Sequence, residues 1–172
     1  KTITPRRITI LGGAGAGKSR LAREVGAALG LPVIHLDRLV YAPGWRRRDM
    51  ACVRADLEQS LEATGWVVDG IYRETSPLVL PRADLVIWLD QPAWLRLWRS
   101  WRKTRVRRNA PRADRPDGCD ERFGWRYALA ILRFGTFSPT LGARLEDMAG
   151  QPVLRLRGDR AITDWLERAR FK

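Results

Sequence analysis

The chain has little histidine, cysteine or methionine: one, two and two among 172 residues. Two thiols, Cys52 and Cys119, are too few for a disulfide framework or a four-thiol zinc site, and His35 adds little to them. That usage fits a reduced, cytoplasmic protein. No apolar run approaches the roughly 20 residues that span a bilayer, so no membrane association is expected. The stretch Lys1–Arg7 ahead of the first strand is too short to read as a signal peptide. Low-complexity tracts and internal repeats are absent, and 45% hydrophobic with 30% charged residues excludes a disordered or fibrous chain. Lysine is scarce too. Only four of the 32 basic residues are lysine; against 19 acidic residues the net charge is +13. Such a balance calls for an anionic partner, without saying whether nucleotide, nucleic acid or membrane surface, and an arginine excess also matches a GC-rich codon bias.

What is present is an alternation of short apolar runs with longer amphipathic ones. Arg7–Leu11 reads as a buried strand ended by Gly12-Gly13, and Lys18–Leu29 as a helix with Leu21, Val25 and Leu29 on one face and Gly30 at its C-cap. Val33–Leu36, Trp66–Asp69, Asp84–Leu89 and Val153–Leu156 supply four more strands. Helices are expected over about 49–63 with Asp49 as N-cap, from Pro92 to about Arg108, over about 121–134, from Pro139 to about Met148, and from Asp159 through Ala169. Strands separated by helices throughout predict an α/β fold, a parallel sheet covered on both faces, in a single domain spanning 1–172.

The strongest signal is Gly12-Gly13-Ala14-Gly15-Ala16-Gly17-Lys18-Ser19, a complete G-x-x-x-x-G-K-[ST] pattern between a strand and a helix. Its glycines let successive N–H groups turn inward onto phosphate oxygens, and the following helix aims its positive end at the same anion. Lys18 can reach the β- and γ-phosphates, the Ser19 hydroxyl can ligate Mg²⁺, and the nucleotide-binding set runs from Gly12 through Arg20. Ligands of parallel sheets bind beyond the carboxyl ends of the strands. This places Asp37, after the second strand, and Asp69-Gly70, after the third, at the same site. Asp69 could hold Mg²⁺ through a water or support Ser19. Asp90, after the fourth strand, reads as a helix cap, and His35 as a satisfied sheet-end residue without a role.

With Leu31–Asp37, Pro43-Gly44-Trp45, Trp66–Tyr72, Ala83–Asp90 and Arg115–Glu121, this loop resembles the adenylate-kinase-like branch of P-loop kinases. More narrowly, the chain resembles the DNA topology modulation, or FlaR-like, proteins over about residues 7–168. The resemblance implies a P-loop NTPase fold with a five-stranded parallel sheet of order 2-3-1-4-5, and an arginine-rich lid at about 96–126. Where that family has Asp-Gly-Asn-Tyr this chain has Ile71 in place of Asn, and the segments that give true adenylate kinases their AMP specificity are missing.

The 96–126 stretch carries 11 basic and four acidic residues. Arginines closing over a transferred phosphoryl group stabilise its charge and exclude water; Arg99 and Arg102 lie where the family's lid-helix arginines lie, with Arg115 and Arg122 as weaker candidates. Trp94, Trp98 and Trp101, at i, i+4 and i+7, read as a core-facing stripe. Cys119 reads as a structural thiol.

Together these residues predict an ATP- and Mg²⁺-dependent phosphotransferase, a monomer or homodimer. Lys18, Asp37, Arg99 and Arg102 are its catalytic candidates, and Asp37, Trp45, Asp69, Gly70, Tyr72 and Arg73 line the acceptor. Arg38, Arg46, Arg47, Arg48 and Arg73 favour an acidic acceptor, whereas Asp37, placed to take a proton, favours a hydroxyl. The resemblance leans to a nucleoside monophosphate. The rival reading is an ATP-binding, nucleic-acid-associated regulator, supported by the charge but by no recognised nucleic-acid motif.

Overall fold

A computed structural model describes residues 5–106, 119, 123–133 and 139–168. The loop Asn109–Asp120 apart from Cys119, and with it Arg115 and Arg122, lies outside the described residues. Five parallel strands form the sheet: β1 (Arg7–Gly12), β2 (Val33–His35), β3 (Trp66–Asp69), β4 (Leu85–Asp90) and β5 (Val153–Arg157). Their order is β2-β3-β1-β4-β5, the 2-3-1-4-5 arrangement expected.

Alternation along the central strands decides what each face buries. Ile8 and Ile10 of β1, Val67 of β3, and Ile87 and Leu89 of β4 point to one face. There they meet Leu21, Ala22 and Val25 of α1 (Lys18–Leu29) and Ile162, Trp165 and Leu166 of α8 (Gly158–Arg168). Leu11, Trp66, Val68, Val86 and Trp88 point to the other face. They pack on Leu36 of α2 (Leu36–Val40), Leu57 and Leu61 of α3 (Met50–Leu61) and Leu145 of α7 (Pro139–Ala149). Each fully enclosed side chain of this size contributes about 1.5–3 kcal/mol of burial, so this two-faced core is what fixes the strand ends in space.

Local chemistry sets the boundaries. Asp49 caps α3 by accepting from the Ala51 N–H at 3.4 Å, and Gly30 ends α1 in the left-handed conformation at φ 63°. Three short elements were not expected: α2, a hairpin pairing Tyr41–Ala42 with Arg46–Arg47, and α4 (Ser76–Val79). Asp37 therefore sits in the first turn of a helix rather than in a loop.

Two expectations are corrected. Asp90 is not a cap: its carboxylate receives the Arg155 guanidinium from β5, at 3.0 and 2.5 Å, joining the two strands side chain to side chain. The tryptophan stripe of α5 (Ala93–Val106) does not face the core, since Trp94, Trp98 and Trp101 are 69%, 48% and 41% exposed. The buried residues of α5 are Arg96 and Ser100. Beyond it α6 (Trp125–Arg133) packs against α5, with Ile131 buried and Trp125 exposed.

Candidate functional site

The loop Gly12–Ser19 leaves β1 and enters α1. A Cβ built on Gly12 would stand 2.8 Å from the Leu89 carbonyl oxygen, and one on Gly15 would fall against the Arg96 backbone and 2.7 Å from Ser100 Oγ. Only glycine lets the loop thread between β4 and α5. This also explains the inverted face of α5, whose small polar Ser100 allows its backbone to approach the loop. Gly15 and Gly17 adopt φ 78° and 98°, and the Ala16 N–H donates to the Gly13 carbonyl at 3.1 Å. No side chain caps the start of α1 and no acidic residue occupies its first turn, so the positive end of that helix stays open to an anion.

Lys18 Nζ folds back to donate to the Gly13 carbonyl at 3.2 Å. Burial lowers its pKa, and the nearby carboxylates of Asp69 and Asp37 partly offset this; Lys103 and Arg96 push it further down. The cations whose charges act on Lys18 are thus Lys103 and Arg96. Sequence reasoning had chosen neither. Arg96 is buried and donates through Nε to the Gln91 carbonyl at 3.2 Å, and desolvation holds its pKa below the usual guanidinium range.

Around Lys18 stand the ends of β2 and β3. Asp69 is buried and hydrogen-bonded to His35 Nδ1 at 2.7 Å; both side chains are less than a tenth exposed. His35 is a satisfied sheet-end residue, as read, and its partner is a site carboxylate. The register His35↔Asp69 across β2 and β3 places them side by side, but their adjacency needs the strand order, which spacing along the chain does not give. Gly70 donates from its N–H to the Ile10 carbonyl at 3.0 Å, and a Cβ on it would stand 4.0 Å from Lys18 Cε.

Asp37 accepts from the Tyr72 hydroxyl at 2.5 Å. Burial first, then the neighbouring Asp37 carboxylate, pushes the Tyr72 phenol well above its ordinary range, so it stays a donor. Tyr41 packs edge-on against Tyr72, with centroids 6.3 Å apart, and against Trp45 at 5.3 Å. Trp45 holds φ 59°, a left-handed conformation that costs a bulky residue roughly 1–3 kcal/mol and marks a turn fixed by its surroundings.

Five of the remaining arginines have partners of their own. Arg99 forms an ion pair with Asp159 at the start of α8, and the Arg102 guanidinium lies over the Trp98 ring, 5.3 Å from its centroid. Arg20 pairs with Glu24 at 2.7 Å, Arg47 with Glu74 at 3.2 Å and Arg48 with Asp56 at 2.7 Å. Arg38 lines a cavity of about 220 Å³ with Ser60 and His35, and Arg73 is exposed. Among the described residues no cluster of three or more His, Cys, Asp or Glu could hold a metal alone. Mg²⁺ does not require one, because it keeps waters and takes only one or two carboxylates together with substrate phosphates. Ser19 and Asp69 fit that demand.

This sheet, with its loop between β1 and α1, is the fold of P-loop kinases. A candidate kinase from Chloroflexus aurantiacus superposes with a TM-score of 0.59 at 17% identity, covering 96% of this chain and 98% of that one. Gluconokinase from Sinorhizobium meliloti 1021 gives 0.54 at 16% identity over 96% and 93%. Shikimate kinase from Acinetobacter baumannii, in complex with shikimate, gives 0.53 at 15% over 96% and 90%. No protein-family model matches the chain, and neither does any curated protein. Among the described residues no helix is long and apolar enough to cross a membrane.

Proposed function

We propose that the chain is an ATP- and Mg²⁺-dependent kinase that phosphorylates a hydroxyl group of a small molecule. The observation that carries this is the Asp37 carboxylate, held by Tyr72 within electrostatic reach of Lys18 while the neighbouring arginines Arg47 and Arg48 are paired to Glu74 and Asp56. A hydroxyl acceptor needs a carboxylate to take its proton; a phosphate acceptor would instead call on an arginine such as the exposed Arg73.

The amides of Gly12–Ser19, the open end of α1 and Lys18 would hold the nucleotide phosphates, and Arg20 lies just beyond them. Ser19 and Asp69 would hold Mg²⁺, which draws charge off the phosphate oxygens when bound. His35 fixes the rotamer of Asp69. Asp37 would take the acceptor proton, with Tyr72 orienting it, and Trp45, Gly70 and Arg73 would bound the acceptor space. Arg99 and Arg102 are assigned to the transferred phosphoryl group, which requires Arg99 to leave Asp159. The FlaR-like resemblance and the single domain with its 96–126 lid belong to the same proposal.

The test is a product-resolved transfer assay with Mg-ATP against small hydroxy acids, nucleosides and nucleoside monophosphates, with Lys18→Ala as the blank. Phosphorylation of a hydroxyl compound, lost in the blank and reduced about 10²–10⁴-fold in Asp37→Asn, is the expected result. A phosphorylated nucleoside monophosphate insensitive to Asp37→Asn would move the assignment to the nucleotide class. Retention of labelled DNA at moderate salt without transfer would favour the regulatory reading.

A further inference from the structure

Cys119 is fully buried and lies 77 and 74 residues beyond the two groups it touches. Its thiol donates to the Ala42 carbonyl at 3.3 Å and accepts from the Trp45 N–H at 3.2 Å. These two groups bracket the turn Pro43–Trp45 that closes the Tyr41–Arg47 hairpin. At the same turn Gly44 and Trp45 hold φ 77° and 59°. For Trp45 that conformation is unfavourable in isolation, so something outside the turn has to hold it. Within a two-residue hairpin the ladder supplies little. The thiol, bonded to the Ala42 carbonyl and to the Trp45 N–H, supplies one such hold.

We infer that Cys119 is a positioning residue: its thiol fastens the hairpin turn and thereby holds the Trp45 ring edge-on against Tyr41, which in turn packs on Tyr72 beside Asp37. The consequence for the acceptor rests on the kinase reading; the contact and its effect on the turn do not. Sulfur suits the place because one atom both donates and accepts while the side chain remains small and apolar enough for full burial. Cys52, by contrast, is exposed and touches only its own helix cap, Asp49.

Hydrogen exchange read by mass spectrometry over residues 41–48 tests this without substrate. Cys119→Ala should exchange there about fivefold faster, the change that loss of one ordinary hydrogen bond corresponds to, with β1 and β3 unchanged. Cys119→Ser, whose hydroxyl can make both bonds, should restore most of the protection. Unchanged exchange in the alanine variant overturns the proposal, as does a serine variant no better protected than alanine. If alanine loosens the whole chain, a second arm decides. In a Cys52→Ser background, Trp45→Pro removes the N–H and forbids the positive φ, and modification of Cys119 by dithiobis(nitrobenzoate) should accelerate about fivefold or more. An unchanged rate overturns the inference. Where Mg-ATP with shikimate, gluconate or AMP gives turnover, Cys119→Ala should raise the KM of that acceptor and leave the KM of ATP alone. The reverse pattern removes the acceptor-side role, and absence of turnover with all three counts against the kinase reading while leaving the exchange and labelling results to decide this one.

Discussion

Trp66 and Trp98 belong to two regions that treat the same side chain in opposite ways. Trp66 opens β3 with no exposed surface, enclosed with Val68, Leu57 and Leu61 on one face of the sheet. Trp98 lies half exposed on α5 beneath the Arg102 guanidinium, while the inward face of that helix carries Arg96 and Ser100. In the sheet, apolar pattern and burial agree because the facing element is another apolar surface. On α5 the facing element is the Gly12–Ser19 loop, whose glycines admit a close backbone and which, on the proposed function, calls for cations. A helix packed on a binding loop presents polar residues inward, and its tryptophans are left for the outside.

The largest effect separating the two regions falls at Lys18, where the site works against the fold. Lys18→Met should lower turnover about 10²–10³-fold, the loss expected for one preorganised charge donor, yet raise the thermal midpoint. Burial depresses the Lys18 pKa, so between that lowered value and the ordinary lysine value the unfolded chain binds the extra proton. The wild type therefore gains stability as pH rises through that window, and below it bears the full cost of holding a partly desolvated charge. The midpoint advantage of Lys18→Met should shrink as pH rises toward the ordinary lysine value, as thermal unfolding at a series of pH values would read. An advantage growing with pH would contradict the assignment.

Next in size is the tryptophan pair itself. Trp66→Ala removes a fully enclosed indole and should cost about 3–5 kcal/mol, or roughly 10 °C in midpoint for a chain of this size. Trp98→Ala removes a half-exposed ring and one cation–π contact, worth about 0.5–1 kcal/mol. Trp66 Nε1 has no hydrogen-bond partner, so Trp66→Phe should fall between the two, losing volume but no polar contact. If Trp98→Ala cost as much as Trp66→Ala, α5 would be burying its tryptophans after all.

How much could be read beforehand follows the same division. The five strands, the phosphate loop, the Asp49 cap and the Gly30 terminus were legible because each depends on neighbours within a few residues. The hairpin at Tyr41–Arg47 was not: its strands are two residues long and carry no periodicity, and the turn rests on a thiol far along the chain. The pairing of His35 with Asp69 needed the strand order, and the Asp90–Arg155 bridge needed the β4–β5 register. For the α5 stripe the period was read correctly and the face wrongly, since spacing marks an apolar side but not what lies opposite.

The smallest expected effect probes whether Arg99 belongs to the fold or to the chemistry. Its ion pair with Asp159 joins α5 to the start of α8, and the Asp159 side chain is 59% exposed while Arg99 is only 27% exposed. A pair so open to water contributes about 0.2–1 kcal/mol. Asp159→Asn should therefore barely move the midpoint. If Arg99 serves the transferred phosphoryl group, removing its competitor frees the guanidinium, and kcat should rise modestly while Arg99→Ala lowers it. If both substitutions left kcat unchanged, the pair would be a strut between two helices, and the charge stabilisation would fall to Lys18 and Arg102.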